Sequence, residues 1–241
     1  MLLRQLAFSL SLVFFFSSCG ETPKKENSTN ENTIKKNDTL VLSEENEVEP
    51  KKNEEQEEAF VLDEENVIDF FFNYAKELKA NKVKLTTTMG SFTVELYDNV
   101  PYHKANFIYL ARKQYFDSTQ FHRVVKDFII QGGNSDDKRT SKKRREIGRY
   151  LLPPDAKKGY KHHRGTISMP SSERDNPHKL ASPYEFFIVV TKPGSYHLDG
   201  SYTPFGRVVE GMDVVDAINN VPVGDGDWPW QSIYILKAEV L

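Results

Sequence analysis

The chain has 241 residues, of which 38% are apolar, 28% are charged and 12% are aromatic. This composition is typical of a globular protein and excludes collagen-like, coiled-coil and multi-span membrane proteins. The formal net charge of −3 is unevenly distributed, because residues 20–58 carry 12 acids and 6 lysines whereas residues 134–164 carry 11 basic residues and 4 acids. The single cysteine, Cys19, excludes an intrachain disulfide framework and a cysteine-based zinc site.

Residues 1–18 have the pattern of a secretory signal peptide. One basic residue precedes an apolar run from Leu6 to Phe16, which makes about 16 Å of helix, roughly half of what a bilayer crossing requires. The ending Ser17-Ser18-Cys19-Gly20 resembles the lipobox of bacterial lipoproteins. That resemblance implies that Cys19 becomes a lipid-modified, palmitate-bearing N-terminus and anchors the protein in the bacterial cell envelope. An ordinary signal peptide with a coincidental cysteine is the alternative.

Residues 19–59 are predicted to form a disordered acidic linker, because they lack a sustained hydrophobic period and cannot offset the entropy of ordering. Residues 60–81 change the pattern, and apolar residues at three- and four-residue steps predict a helix over Leu62–Lys79. Its apolar face either packs on the following domain, which we favour, or binds a partner or a second copy.

Residues 82–241 are predicted to form the main folded domain. Short apolar or β-branched runs predict eight strands, and helical periodicity predicts two helices, Pro101–Arg112 and Met212–Asn219. These elements indicate a mainly β fold, either a closed barrel or a sandwich. The predicted strands are Val83–Thr88, Phe92–Leu96, Gln120–Val124, Phe128–Gln131, Thr166–Met169, Phe186–Thr191, Phe205–Val209 and Ile233–Val240.

Common catalytic and binding motifs are missing from the sequence, which contains no Walker loop, G-x-G-x-x-G, H-E-x-x-H or G-x-S-x-G. His162 and His163 are adjacent and would face opposite sides of a strand, so we expect no metal site. The basic run from Lys138 to Arg145 lacks interleaved aromatic residues. We therefore interpret it as a solvated loop and expect no nucleic acid partner.

The segment from Phe121 to Asn134, FHRVVKDFIIQGGN, closely resembles the signature of the cyclophilins, a family of peptidyl-prolyl isomerases. Further matches follow in family order at 165–169, 185–188, 198–200, 205–206 and 210–212, so that the resemblance spans about 82–241. It implies a closed eight-stranded antiparallel β-barrel capped by two α-helices, an isomerase of X-Pro bonds without a cofactor, and proline-containing polypeptides as substrates. Together with the signal-like N-terminus, this makes exported proteins the expected substrates. We expect a monomer.

The resemblance also implies residue roles. Arg123 is similar to the catalytic arginine, and Phe128 and Gln131 complete the implied catalytic set. The implied substrate-binding residues are Ile129, Ser171, Glu185, Phe187, His197, Leu198 and Tyr202. Such a site suits the reaction, since rotation about an amide needs no nucleophile, proton abstraction or metal, but only better binding of the twisted form.

Several positions depart from the family pattern. Glu185 replaces a glutamine and loses its amide donor, so that we expect it to pair with Arg123. His197 stands where human-type members carry a tryptophan that favours cyclosporin. Pro170-Ser171 replaces Ala-Asn, and 136–161 is predicted to be a longer, basic connection. These departures leave an alternative, in which the domain is a membrane-anchored peptide-binding or chaperone module with weak catalysis.

Overall fold

The computed structural model describes residues 60–171 and 177–241. The predicted signal peptide, Cys19 and the acidic linker lie outside these residues. Within the described ranges, no helix combines the length and the hydrophobicity that a bilayer crossing requires. The main elements are α1 (Val67–Glu77), β1 (Lys82–Thr87), β2 (Gly90–Leu96), α2 (Pro101–Arg112), β3 (Gln120–Val125), β4 (Ile129–Asn134), α3 (Lys138–Ile147), β5 (Thr166–Ser168), β6 (Phe186–Val189), β7 (Pro204–Glu210), α4 (Met212–Asn219) and β8 (Ile235–Val240).

The eight strands form one antiparallel sheet in the order β3-β4-β6-β5-β7-β2-β1-β8. Its two edges meet where the Phe121 N–H donates to the Ile233 carbonyl over 2.9 Å and the Ile235 N–H donates to the Thr119 carbonyl over 2.8 Å. The sheet therefore closes on itself and confirms the predicted barrel over a sandwich. Fully buried side chains fill its interior, among them Leu85, Phe92, Phe121, Ile130, Ile167, Phe186 and Phe205.

The strand boundaries lie within three residues of the predicted runs. The turn at Met89-Gly90 joins β1 to β2 as expected, and Gly90 has a φ of 127° that residues with a Cβ rarely adopt. The two predicted domain helices, α2 and α4, have the predicted bounds. Helix α2 packs against β7 and β8, and α4 packs against β2, β3 and β4.

Helix α1 packs on α2, which confirms the favoured interpretation of its apolar face. Val67 and Phe71 are buried, and Phe70 and Tyr74 both meet Tyr109 of α2 edge-on at 5.2 and 5.7 Å between ring centroids. The helix begins later than predicted because 63–66 form a turn that the Asp63 carboxylate closes by accepting from two backbone N–H groups.

Helix α3 contradicts the prediction that the basic run 138–145 is a solvated loop. The Asp137 carboxylate caps its first turn by accepting from the Arg139 N–H over 2.8 Å. Ile147 is buried, and Arg144 bonds to the buried Tyr115 hydroxyl over 2.8 Å. A helix cap and tertiary contacts therefore stabilise this strongly basic helix. The segment has no hydrophobic periodicity from which the helix could have been predicted.

Candidate active site

Three neighbouring strands place Arg123, Gln131 and Phe187 in one row. Arg123 of β3 lies opposite Gln131 of β4, which in turn lies opposite Phe187 of β6. Directly opposite residues in an antiparallel ladder project to the same face. Their neighbours in sequence, such as Val124, Ile130 and Phe186, face the barrel interior and are buried there. The row therefore lies on the outer face of the barrel.

A small apolar cluster, separate from the barrel core, lies on the same face. It comprises the buried Ile129, Phe187, Val189 and Leu198, with Val125, Phe128 and Tyr202 packed around it. Side chains alternate between the two faces of a strand, so Ile129 lies on the same face as Gln131, two residues along β4, and Val189 on the same face as Phe187, two residues along β6. We call this cluster the apolar pocket. The structure thus brings together the predicted residues Phe128, Ile129, Phe187, Leu198 and Tyr202.

Two rings lie at the edge of the apolar pocket. The exposed His197 stacks on Phe128, with ring centroids 5.4 Å apart, and Tyr202 meets Phe187 edge-on at 5.5 Å. The segment that carries both rings is held by His162, whose Nδ1 lies 2.8 Å from an Asp199 carboxylate oxygen and whose Nε2 lies 3.0 Å from the Ser168 hydroxyl. Because an ionised carboxylate can only accept, Nδ1 carries the proton in the Asp199 contact.

Arg123 does not pair with Glu185, so that this expectation is wrong. Its Nε donates instead to Asp227 over 3.2 Å, from a turn 104 residues further along the chain. The side chains of Arg123 and Asp227 are 43% and 39% exposed. Within the described part of the chain, neither terminal amino group of Arg123 has a hydrogen-bond partner. The guanidinium thus presents two amino groups, each with two N–H donors, next to the apolar pocket.

Glu185 is engaged by a different set of groups. It accepts from Gln131 over 2.9 Å and from Asn134 over 3.0 Å, and His122 Nε2 lies 3.4 Å away. Burial acts to raise the pKa of Glu185, but the hydrogen bonds from His122 and Gln131 and the charge of Arg144 outweigh it and hold the pKa below its ordinary value. Glu185 is therefore a stably ionised group at neutral pH, and Arg123 is left free of it.

The family of the chain follows from its sequence. The model of the cyclophilin type peptidyl-prolyl cis-trans isomerases matches residues 82–240, more than half of the chain. The chain belongs to this family. A relative in Neurospora crassa, peptidyl-prolyl cis-trans isomerase-like 1, is 40% identical over 164 residues, which cover 67% of this chain and 95% of the relative. The chain is thus a cyclophilin-type peptidyl-prolyl cis-trans isomerase.

Two further comparisons define the extent of the likeness. The chain matches 30% of the length of peptidyl-prolyl cis-trans isomerase-like 2 of Rhizopus delemar, at 36% identity and over 70% of its own length. A crystal structure of a cyclophilin type peptidyl-prolyl cis-trans isomerase from Cryptosporidium parvum, in the presence of the dipeptide Ala-Pro, is similar with a TM-score of 0.56 and 26% identity. It covers 66% of this chain and 98% of that one.

One predicted substrate-binding residue lies outside the row of Arg123, and the two adjacent histidines make separate contacts. Ser171 lies beyond the end of β5, where it forms an isolated bridge with Ala181, and its role in substrate binding stays a prediction. His162 and His163 have different partners, since His163 Nδ1 contacts the exposed Tyr196 hydroxyl over 2.9 Å.

Sequence reasoning missed Asp227, Asn134 and Arg144 as neighbours of this cyclophilin-type site. Arg144 reaches the Asn134 side-chain oxygen over 3.1 Å and lies 3.9 Å from Glu185. The missed Arg144 lies on α3, the helix interpreted as a loop. Asn134 ends the recognised signature segment, three residues after Gln131 on β4, and this was the one available signal.

Proposed function

We propose that the isomerase holds the proline ring of its substrate in the apolar pocket while Arg123 stabilises the twisted amide. The observation that carries this proposal is the pair of unengaged terminal amino groups of Arg123 on the same sheet face as the pocket. The Cryptosporidium relative, studied in the presence of Ala-Pro, supports a proline-containing ligand for this fold.

The chemistry requires no covalent intermediate. Amide resonance sets a rotation barrier of about 18–20 kcal/mol, which falls when the twisted form is bound more tightly than either planar form. A guanidinium stays charged at physiological pH and can donate to the carbonyl before proline and to the nitrogen as it becomes pyramidal. The substrate carbonyl can then rotate while the ring of the proline remains in the apolar pocket.

The neighbours of Arg123 supply substrate binding in this proposal. Gln131 gives its amide N–H to Glu185, which leaves its side-chain oxygen to accept from a substrate backbone N–H. Phe128 and Leu198 form walls around the ring, and His197 covers one edge through its stack on Phe128. Truncating a wall residue should therefore weaken peptide binding more than it slows rotation.

The substrates proposed are exported proteins, folded at a membrane of the bacterial envelope. This part of the proposal is supported by the signal-like pattern of 1–18 and by the position of Cys19 at its end. An anchor of two acyl chains suffices for stable membrane attachment. The anchored isomerase would then act on exported chains at the membrane while they fold. Catalysis would be useful there because uncatalysed X-Pro isomerisation takes tens of seconds.

One observation favours a second candidate, a module that holds proline segments with little turnover. Glu185 replaces a glutamine and occupies the amide of Gln131, so that fewer donors face the substrate. Family membership favours the enzyme. NMR exchange spectroscopy on an X-Pro peptide with the full-length chain separates the two candidates, with an Ala-for-Pro peptide as the control. Enhanced cis–trans exchange supports the enzyme, whereas binding shifts without faster exchange support the module.

A further inference from the structure

We infer that Asp227 is a positioning residue for Arg123, which it holds by Nε so that both terminal amino groups face the substrate. The inference rests on the proposed role of Arg123 and adds a second residue to it. The Nε-to-Oδ2 distance is 3.2 Å, and both side chains are partly exposed. The Nε–H group points to one side of the planar guanidinium, whereas the two terminal amino groups form its outer edge. A carboxylate bound to Nε therefore leaves that outer edge unobstructed.

The backbone that carries Asp227 is a tight, hydrogen-bonded hairpin. An isolated bridge joins Val223 to Pro229, and the Gly224 N–H donates to the Trp228 carbonyl over 2.8 Å. Asp227 itself has a φ of 65°, in the left-handed region that aspartate tolerates better than most residues. The turn therefore fixes the direction of the carboxylate toward β3, against which this segment packs.

Among the described residues, the neighbours of Arg123 on the sheet do not hold its Nε. Gln131 is the cross-strand partner of Arg123, but its amide donates to Glu185. Glu185 in turn is occupied by His122, Gln131 and Asn134. Among the described residues, Asp227 is the carboxylate bonded to Arg123, and it comes from outside the recognised family motifs.

Holding Arg123 matters because its side chain is long and 43% exposed. Without a partner, the Arg123 side chain would sample many rotamers. Only the fraction of molecules with the guanidinium in the productive geometry could stabilise the twisted amide. Loss of the Asp227 contact should therefore reduce kcat in proportion to that fraction. Binding of the proline ring depends on the apolar pocket, so KM should change little.

The test compares two carboxylates of the same turn in the full-length chain. Asp227→Gly removes the carboxylate and suits the left-handed backbone, and Asp227→Asn keeps an acceptor without the charge. Asp225→Ala is the matched control, since Asp225 is exposed and makes no hydrogen bond with the described residues. We expect kcat to fall about tenfold in Asp227→Gly, with a KM within twofold of wild type, and to be partly restored in Asp227→Asn. Asp225→Ala should match wild type.

A double-mutant comparison separates positioning from stability. In an Arg123→Ala background, Asp227→Gly should have no further effect on the remaining turnover. The Arg123 Nε–Hε NMR signal should shift in Asp227→Gly and stay in place in Asp225→Ala. An unchanged kcat in Asp227→Gly, or an equal loss in both backgrounds, would overturn the role of Asp227 while leaving Arg123 as proposed. Full turnover in Arg123→Ala would overturn both proposals, so the two failures are distinguishable.

Discussion

The side-chain amide of Gln131 donates to Glu185 over 2.9 Å, although Gln131 is the cross-strand neighbour of Arg123. This contact divides the polar part of the site in two. One half is the Glu185 network, which includes His122 and Asn134, and the other is the pair of Arg123 and Asp227. The two halves lead to separate predictions, the first for stability and the second for turnover.

Glu185→Gln should destabilise the fold at neutral pH. Both carboxylate oxygens of Glu185 accept hydrogen bonds from Gln131 and Asn134, but a glutamine would place an N–H group against one of these two donors. A buried donor without a partner costs about 1–3 kcal/mol. Urea denaturation at pH 7 measures this loss. The exposed Glu146→Gln serves as the control and should change the free energy of unfolding little.

The same pair of proteins has a pH dependence with a defined sign. The folded-state pKa of Glu185 lies below its ordinary value, so its stabilisation is fully present above the unfolded pKa of about 4.3 and is lost as the pH falls through the folded pKa. The gap in stability between wild type and Glu185→Gln should therefore shrink on acidification below about pH 4. A gap that widens there would contradict the assigned network.

His103 should remain neutral well below pH 6. Both of its ring nitrogens are buried without a hydrogen-bond partner in the described part of the chain, and burial lowers its pKa to about 3. In the unfolded chain this histidine binds a proton near pH 6.5, whereas in the folded chain it stays neutral. Acid therefore favours the unfolded state, and this residue lowers the stability of the protein as the pH falls from about 6.5 toward 3. NMR should show no titration of His103 between pH 7 and 5.

A variant isolates this effect from the other titrating groups. His103→Leu removes the proton uptake by the unfolded chain, so its free energy of unfolding should fall less than that of wild type between pH 7 and 5. Equal losses in both proteins, or a His103 ring that titrates near pH 6.5, would show that this histidine is accessible to solvent.

Much of the fold follows from local patterns. The barrel strands alternate around a core that includes Phe121, and α2 and α4 are bounded by Pro101 and Gly211, which mark helix starts. Helix α3 could not be predicted in this way, because Thr140 and Ile147 are its buried residues and the rest is largely basic. Its order depends on Tyr115 and Tyr184, whose rings meet Arg144 and which lie far from it in sequence.

The site, like the fold, has one part that local sequence patterns predict and one part that depends on residues distant in sequence. The apolar pocket was predicted because Phe128, Ile129 and Phe187 lie within recognised motifs. The partner of Arg123 was predicted wrongly, because the negative charge of Glu185 at a site position pointed to it, whereas a hairpin 104 residues away supplies Asp227. A pairing of this kind depends on barrel closure and on turn geometry, neither of which a local pattern records.

His197→Trp should strengthen inhibition by cyclosporin. His197 is exposed and stacks on Phe128, so a larger indole at this position would add apolar surface at the edge of the apolar pocket. An aromatic contact of this kind contributes about 1 kcal/mol, which corresponds to roughly a fivefold lower inhibition constant. Inhibition titrations of both proteins measure it, and an unchanged constant would place the inhibitor elsewhere.

The proposed membrane anchor is tested by Cys19→Ser. If Cys19 carries two acyl chains, wild-type protein from cells should partition into detergent, whereas Cys19→Ser should appear in the aqueous phase or keep its signal segment. Ser18→Ala, which leaves the cysteine intact, is the matched control and should follow wild type. Recovery of wild type and Cys19→Ser in the aqueous phase alike would exclude lipidation at this position.

The central claim, that Arg123 stabilises the twisted prolyl amide, is tested most directly by kcat/KM of Arg123→Ala on one X-Pro peptide. Circular dichroism confirms folding, and Arg207→Ala on the exposed surface of β7 is the charge-matched control. We expect Arg123→Ala to lose at least about a hundredfold in kcat/KM, with a smaller change in peptide affinity, because one preorganised transition-state donor is removed. Arg123→Lys should recover little, since an ammonium cannot reproduce the planar pair of donors. A folded Arg123→Ala protein that isomerises the peptide as fast as wild type and Arg207→Ala would contradict the account.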